Sequence, residues 1–366
     1  MTDEPVHQQS SPTSGRTEAQ GREIAGSASV QLGHSDLVVR PVGLGGMGMS
    51  QFYGEADDNE SVETIRAAID LGVNFLDTSD VYGAANIGKA QGVRGFGHNE
   101  RLIGEATKGR RAHIVLATKF GAKVNDAGNT ITYDGRPQYV RAACEASLRR
   151  LRTDVIDLYY CHRIDPHVPI EDTVGTMAEL ISAGKVRALG LSEVGDDLIR
   201  RAHAVHPITA LQSEYSLWER RLEKGIIATC RELGITVVPF SPLGRSALTG
   251  TISPEDTFAR NDFRATNPRF SPANLATNLE PVRVLKELAT AKGCRPGQLA
   301  LAWLLSQPLD VVPIPGTKHI EYVRENLAAT AVAISADESA YLSTVFAPGR
   351  IVGDRYTAEH ARSVAD

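Results

Sequence analysis

The sequence predicts a closed (β/α)8 barrel, and three observations carry that expectation. Short apolar runs of strand character alternate strictly with amphipathic helical stretches from about residue 41 to residue 330. Such alternation requires parallel strands joined by crossover helices. Eight strand-like runs occur, and eight β/α units close most economically as a barrel. An open doubly wound sheet would instead carry G-x-G-x-x-G after its first strand and directly before a helix. The nearest stretch, Gly43-Leu44-Gly45-Gly46-Met47-Gly48, is separated from the first helical pattern by nine mostly polar or aromatic residues, so it reads as a tight first βα loop that touches a ligand by its backbone.

Taken in order, residues 1–28 are polar, lack the apolar stretch of a secretory signal and read as a disordered tail. Ala28–Leu32 and Leu37–Arg40 flank Gly33-His34-Ser35-Asp36 and read as a hairpin. Strands are expected near 41–46, 73–77, 113–119, 154–161, 186–191, 208–213, 235–240 and 310–314. Helical patterns fall at 58–71, 98–108, 137–151, 171–183, 196–205, 221–233, 280–305 (broken at Gly293–Pro296) and 319–328. In the first of these, Val62, Ile65, Ala68, Ile69 and Leu71 form an apolar stripe, with Glu63 and Arg66 outside it. Gly72, Gly109, Gly184 and Gly234 each end a helical pattern. Two insertions stand out: the glycine-rich segment 83–97, and 244–279 with Phe258, Phe263 and Phe270, which lies after the seventh strand where it could fold over a ligand. Residues 29–346 form one barrel domain, and 347–366 read as a C-terminal tail.

A hydrophobic fraction of 42% and a net charge of −5 are ordinary for a globular chain and argue against a nucleic-acid binder, which would show a basic face. There is no apolar run of membrane-spanning length. Cys144, Cys161, Cys230 and Cys294 show no C-x-x-C pairing and no metal-ligand spacing. They read as reduced thiols of a cytoplasmic protein without a metal.

Barrel enzymes carry their chemistry at the C-terminal ends of the strands. Strand two ends in Asp77-Thr78-Ser79-Asp80-Val81-Tyr82-Gly83, strand three in Ala117-Thr118-Lys119-Phe120-Gly121 and strand four in Tyr159-Tyr160-Cys161-His162-Arg163. Each candidate alone has an ordinary structural use: Asp77 as a cap, Tyr82 as loop packing, Lys119 as a snorkelling lysine, His162 as a hydrogen-bonded ring. Four of them at adjacent strand ends, facing one mouth, point to chemistry. A tyrosine has an ordinary pKa near 10, so it needs a nearby cation to become an effective acid. Lys119 can supply such a charge, and Asp77 can hold it charged and oriented.

D-T-S-D-V-Y-G, then A-T-K-F-G, then a strand ending in C-H-R resembles the catalytic tetrad of the aldo-keto reductase family, and the similarity runs from about Leu32 to about Ala331. The resemblance implies a (β/α)8 barrel closed below by the N-terminal hairpin, NADPH as cofactor, carbonyl reduction, and Asp77, Tyr82, Lys119 and His162 as catalytic residues. It implies nicotinamide contacts from Ser192 and Gln212, stacking by Tyr215, and further cofactor contacts from Gly46, Met47 and Asp77. The loops after strands seven and eight would hold pyrophosphate and adenosine through Ser241, Pro242, Leu243, Gly244, Arg245, Gly316, Thr317, Lys318, Glu325 and Asn326, with Lys318 placed for a 2′-phosphate. The chain departs from the family pattern in having Glu193 where Asn is frequent and Tyr322 where Arg is frequent. Met49, Phe52, Tyr53, Phe120 and Trp218 would wall the substrate, suggesting small-molecule carbonyls with an apolar body. Two other readings remain: a cofactor-binding regulatory subunit of the same fold with little catalysis, and Schiff-base chemistry on Lys119, which a neighbouring carboxylate disfavours.

Overall fold

The computed structural model describes residues 29–84, 94–124 and 131–357. The expected tail at 1–28, and residues 85–93 of the glycine-rich insertion, lie outside the described residues. β1 (Val30–Gln31) and β2 (Val38–Val39) form the expected antiparallel hairpin. Its Leu32, Leu37 and Val39 pack against Phe75, Val115, Leu158, Ala188, Ala210 and Val238, so the hairpin plugs the N-terminal end of the barrel. Gly33 is required at its turn. The residue has φ +51°, and a Cβ would lie 2.6 Å from the Thr209 carbonyl oxygen.

Seven parallel strands follow: β3 (Leu44–Gly45), β4 (Phe75–Asp77), β5 (Val115–Phe120), β8 (Ile156–Cys161), β9 (Val186–Ser192), β10 (Ala210–Glu214) and β11 (Thr236–Phe240), adjacent in that order. A small antiparallel hairpin absent from the sequence prediction, β6 (Ala122–Val124) with β7 (Ile131–Tyr133), stands between β5 and β8. The eighth predicted strand is present only as isolated bridges, Val237 to Val311 and Gly45 to Gly316. Its prolines explain this. The N–H groups of Val312 and Ile314 bond β11 at 3.0 and 3.1 Å, while Pro313 and Pro315 face β3 and can only accept, from Gly43 at 3.0 Å and Gly45 at 3.3 Å. A proline has no N–H to give to a ladder, so this stave closes the ring with half the usual bonds on one side.

The helices form the outer layer: α1 (Asp58–Asp70), α2 (His98–Ala106), α3 (Pro137–Leu151), α4 (Ile170–Ser182), α5 (Asp196–Val205), α6 (Ile226–Glu232), α7 (Pro272–Ala291), α8 (Pro296–Leu305), α9 (Ile320–Ala328) and α10 (Ala336–Val345). α7 starts eight residues before the predicted 280, with Pro272 in its first turn, and so takes the end of the predicted 244–279 insertion. α10 was not predicted, although Ser335 and Glu338 form a reciprocal capping box at its start. α6 is shorter than expected, because residues 221–224 make a separate 3-10 turn before Gly225 at φ 140°. One large apolar core lies between strands and helices, and a smaller one fills the barrel.

Inside the barrel, Gly190 leaves room for the Tyr160 ring. A Cβ there would sit 2.3 Å from Tyr160 Cδ1 and 3.1 Å from the Ala210 carbonyl oxygen. Gly190→Ala is expected to destabilise the fold by roughly 2 kcal/mol through overpacking. Urea denaturation checks this, and an unchanged midpoint would contradict it.

Candidate active site

Side chains alternate across a strand with a period of two. Phe75, Val115, Ala117, Leu158, Tyr160, Ala188, Ala210 and Val238 point into the barrel. Counting on from these by twos brings Asp77, Lys119, His162, Ser192, Gln212 and Glu214 to the same mouth. The first three, with Tyr82 from the turn after β4, do meet there.

Lys119 is the centre of the cluster and has no solvent exposure. Its Nζ donates to Asp77 Oδ1 at 2.6 Å, to the Thr78 carbonyl at 2.8 Å and to Tyr82 Oη at 3.0 Å. Gln212 Nε2 donates to the other Asp77 oxygen at 2.8 Å. The His162 ring stands edge-on to Tyr82, with centroids 5.9 Å apart. Burial pushes Asp77 above its ordinary value, opposed by Lys119. Burial by itself would discharge Lys119, but Asp77 and Tyr82 reverse this and hold it above the ordinary lysine value. At 2.6 Å the two groups are placed as an ion pair. Burial also raises Tyr82, and Lys119 offsets only part of that rise. The expectation that the cation would leave Tyr82 below its usual value is corrected: desolvation wins in this geometry. Burial, then Arg163 and Lys119, push His162 well below the ordinary histidine value, so its ring is neutral.

Alternation also corrects two expected contacts. Phe120 and Tyr215 have the other parity and face the helices. Phe120 is fully buried and stacked on Tyr159 at 4.9 Å, so it is no substrate wall. Tyr215 is buried against Trp303, its hydroxyl donating to Glu223 at 2.9 Å, so its ring does not reach the mouth. Met49 is fully buried in the outer core, and Trp218 is enclosed by Phe270 and Gly244. Neither lines the mouth. Phe52 and Tyr53 are partly exposed and lie at the rim, Phe52 edge-on to Phe263 and Tyr53 with its hydroxyl on Arg245 at 3.3 Å.

The other expected cofactor residues lie on the loops after β3 and β11, at the end of β9, and on the loop and helix after the closing stave. Gly46 N–H bonds the Asp77 carbonyl at 2.8 Å, and Met47 packs beside Tyr82. Ser192 Oγ accepts from Arg163 at 3.0 Å. After β11, Ser241, Gly244, Arg245 and Ser246 all have positive φ, around Pro242 and Leu243. Three of these four are not glycine, a backbone strain that clusters at ligand sites. Gly316 approaches Gly45, and Thr317 Oγ1 accepts the His319 N–H at 3.1 Å. Lys318 Nζ caps the carbonyls of Tyr53, at 2.9 Å, and Glu55. Burial lowers its pKa. Glu325, within α9, faces Arg295 at 3.5 Å, and Asn326 is buried beside it.

A buried charge network roofs the mouth and was missed by sequence reasoning. Residues 347–357, read from the sequence as the start of a tail, fold back over the mouth. Arg355 pairs with Glu193 and, at 3.6 Å, with Glu214; Arg245 Nη2 bonds Glu214 at 3.1 Å. The Arg245 guanidinium lies over the Phe263 ring at 4.5 Å and the Tyr356 ring at 5.7 Å. Burial would push Glu193 up, but Arg355 and Arg163 hold it below the ordinary carboxylate value. Glu193 takes φ 55°, a conformation that Asn adopts more readily than most non-glycine residues. Among the described residues no three His, Cys, Asp or Glu side chains converge as a metal ion would need, and no helix is long and apolar enough to cross a membrane.

A parallel barrel whose strand ends present a buried Asp–Lys–Tyr cluster beside a neutral histidine defines an oxidoreductase-type site. The family model described as "Aldo/keto reductase family" matches residues 41–346, and the chain belongs to that family. Among solved structures it is similar to the glycerol dehydrogenase of Gluconobacter oxydans, at 27% identity and a TM-score of 0.78 over 90% of this chain and 98% of that one. An aldo-keto reductase from Bacillus halodurans in its holo form matches at 26% identity and a TM-score of 0.71, over 90% and 98%. A thermostable aldo-keto reductase solved with the inhibitor epalrestat matches at 29% identity and a TM-score of 0.69, over 87% and 99%. The family generally uses a nicotinamide cofactor and acts on small carbonyl compounds.

Removing one member of a buried ion pair leaves an uncompensated charge. Arg355→Met is expected to cost about 3 kcal/mol of stability at pH 7. Because Glu193 is held below its unfolded value, the pair stabilises above the ordinary carboxylate range. The gap between wild type and variant should therefore narrow as pH falls below about 4.3. Denaturant melts at several pH values check this, and a gap that widens in acid would contradict it.

Proposed function

We propose that the protein is an NADPH-dependent oxidoreductase that reduces aldehyde or ketone carbonyls to alcohols, with Tyr82 as general acid. The observation that carries this reading is the threefold donation of Lys119. All three of its N–H groups are engaged, on Asp77, Thr78 and Tyr82. An ammonium has three donors and no acceptor. The Tyr82 proton therefore cannot point at Lys119 and is left to face the mouth. Burial keeps the phenol protonated until it is needed, and the Lys119 charge 3.0 Å away stabilises the phenolate left by proton transfer. An ammonium braced in this way has no lone pair for a Schiff base, which counts against that chemistry at Lys119. His162, neutral and beside Tyr82, is suited to hold the carbonyl oxygen.

The residues present fit a dinucleotide. Ser192 and Gln212 offer polar groups at the mouth, the left-handed turn at 241–246 and the Gly45–Gly316 approach give a narrow backbone cradle, and Lys318 supplies a cation. The two carboxylates of the buried charge network, Glu193 and Glu214, are matched by Arg355 and Arg245, so they do not repel a polyanion. Bound NADPH supplies the hydride. Met47, Phe52 and Tyr53 are the apolar rim that a substrate body would meet. Four unpaired thiols agree with a cytoplasmic setting.

Tyr82→Phe is expected to retain NADPH binding and to lower kcat by about 10²–10⁴-fold. NADPH oxidation with a panel of aldehydes and ketones, together with a cofactor-binding titration, checks both halves. Undiminished turnover in the variant would remove Tyr82 as the acid. A wild type that binds NADPH but turns over no carbonyl would favour a regulatory subunit. Lys318→Ala is expected to raise the KM for NADPH about tenfold and leave that for NADH little changed, since only the former carries the extra phosphate.

A further inference from the structure

Among the described residues the His162 ring hydrogen-bonds to protein through one nitrogen only. Its Nδ1 lies 3.1 Å from Ser79 Oγ, and among the described residues Nε2 has no hydrogen-bond partner. A neutral imidazole carries a single N–H, and its position follows from the bond made at the other nitrogen. The direction of the Ser79 proton therefore decides whether Nε2 is a donor or an acceptor. Only a donor can hold a carbonyl oxygen.

Ser79 is fully buried, in the turn between β4 and Tyr82. Its hydroxyl has three acceptors within reach: His162 Nδ1 at 3.1 Å, Asp80 Oδ1 at 3.3 Å and the Lys119 carbonyl at 3.4 Å. The Lys119 carbonyl already receives the Asp80 N–H at 3.2 Å. Asp80 is buried near Glu100, which is itself bound by Arg150 at 2.5 Å and by Thr118 at 2.7 Å. Burial and the Glu100 charge push Asp80 well above the ordinary carboxylate value. A protonated carboxyl is a weaker acceptor than a carboxylate. The Ser79 oxygen also receives the Val81 N–H, at 3.4 Å. The imidazole nitrogen is thus both the nearest and the strongest acceptor for the Ser79 proton.

We propose that Ser79 is a positioning residue, donating its hydroxyl proton to His162 Nδ1 and so fixing the ring N–H on Nε2. This rests on the reading of the site as a carbonyl reductase. An alanine at position 79 would leave nothing at Nδ1 to select a tautomer, and the ring would lose its fixed donor.

The test is nitrogen NMR of protein labelled with 15N-histidine, the His162 signals being assigned by their loss in His162→Gln. Wild type should show a protonated Nε2 and a bare Nδ1. Ser79→Ala should move the ring toward the Nδ1-protonated form, and Ser79→Thr, which keeps the hydroxyl, should restore the wild-type pattern. In parallel, kcat should fall about tenfold in Ser79→Ala with unchanged NADPH affinity, and recover in Ser79→Thr. A wild-type ring protonated at Nδ1, or ring signals that do not move in Ser79→Ala, would overturn the proposal. The wild-type spectrum alone decides it if the alanine variant does not fold. No turnover is needed for the spectrum, so a protein that reduces no carbonyl would sink the proposed activity and leave this result readable.

Discussion

One buried ammonium organises the mouth of this barrel. Lys119 is placed by β5 at a depth where water cannot reach it, and desolvating such a group costs several kcal/mol. It is kept charged because three acceptors, on β4 and the turn behind it, are fixed around it. The register of β4 against β5, with Asp77 opposite Ala117, is what sets those distances. Gln212, four staves round the ring, bonds the far oxygen of Asp77 and ties the cation to the opposite wall. The fold and the chemistry meet here, since the strand pairing that builds the sheet also fixes the acceptors around this charge.

The rest of the mouth repeats that logic at longer range. Glu193 and Glu214 come from neighbouring strands, and alone they would repel each other and any phosphate. Arg245 comes from the loop after β11 and Arg355 from the far C-terminus, and together they neutralise the pair. Asn267 secures the returning segment by bonding the Arg355 carbonyl at 2.9 Å. The roof is thus assembled from parts of the chain that are distant in sequence, and its aromatic rings lie under guanidinium groups rather than in a greasy core.

How much of this was legible follows from range. The barrel, the hairpin and the Asp77–Tyr82–Lys119–His162 cluster could be read because each depends on local periodicity and on strand ends in order, whereas the hairpin's place as a plug came only with the family resemblance. Phe120 and Tyr215 were misplaced because proximity to a strand end was weighed without the alternation that turns every second side chain away from the mouth. α10 left a local mark in Ser335 and Glu338 that was not used. Arg355 left none, since nothing near it in the chain announces a partner more than a hundred and sixty residues away. The shift of Tyr82 could not be foreseen either, because the balance between desolvation and a neighbouring charge is set by depth.

The proline-built closing stave has a mechanical meaning. Pro313 and Pro315 accept from β3 and return nothing, so the joint between the first and last units is more sparsely laced than a full ladder. Local opening in folded proteins begins where backbone bonding is sparsest. The loops carrying Gly46 and Lys318 flank this same seam. A long, thin ligand laid across that seam would act as a suture, adding contacts between two sides that the backbone itself joins sparsely.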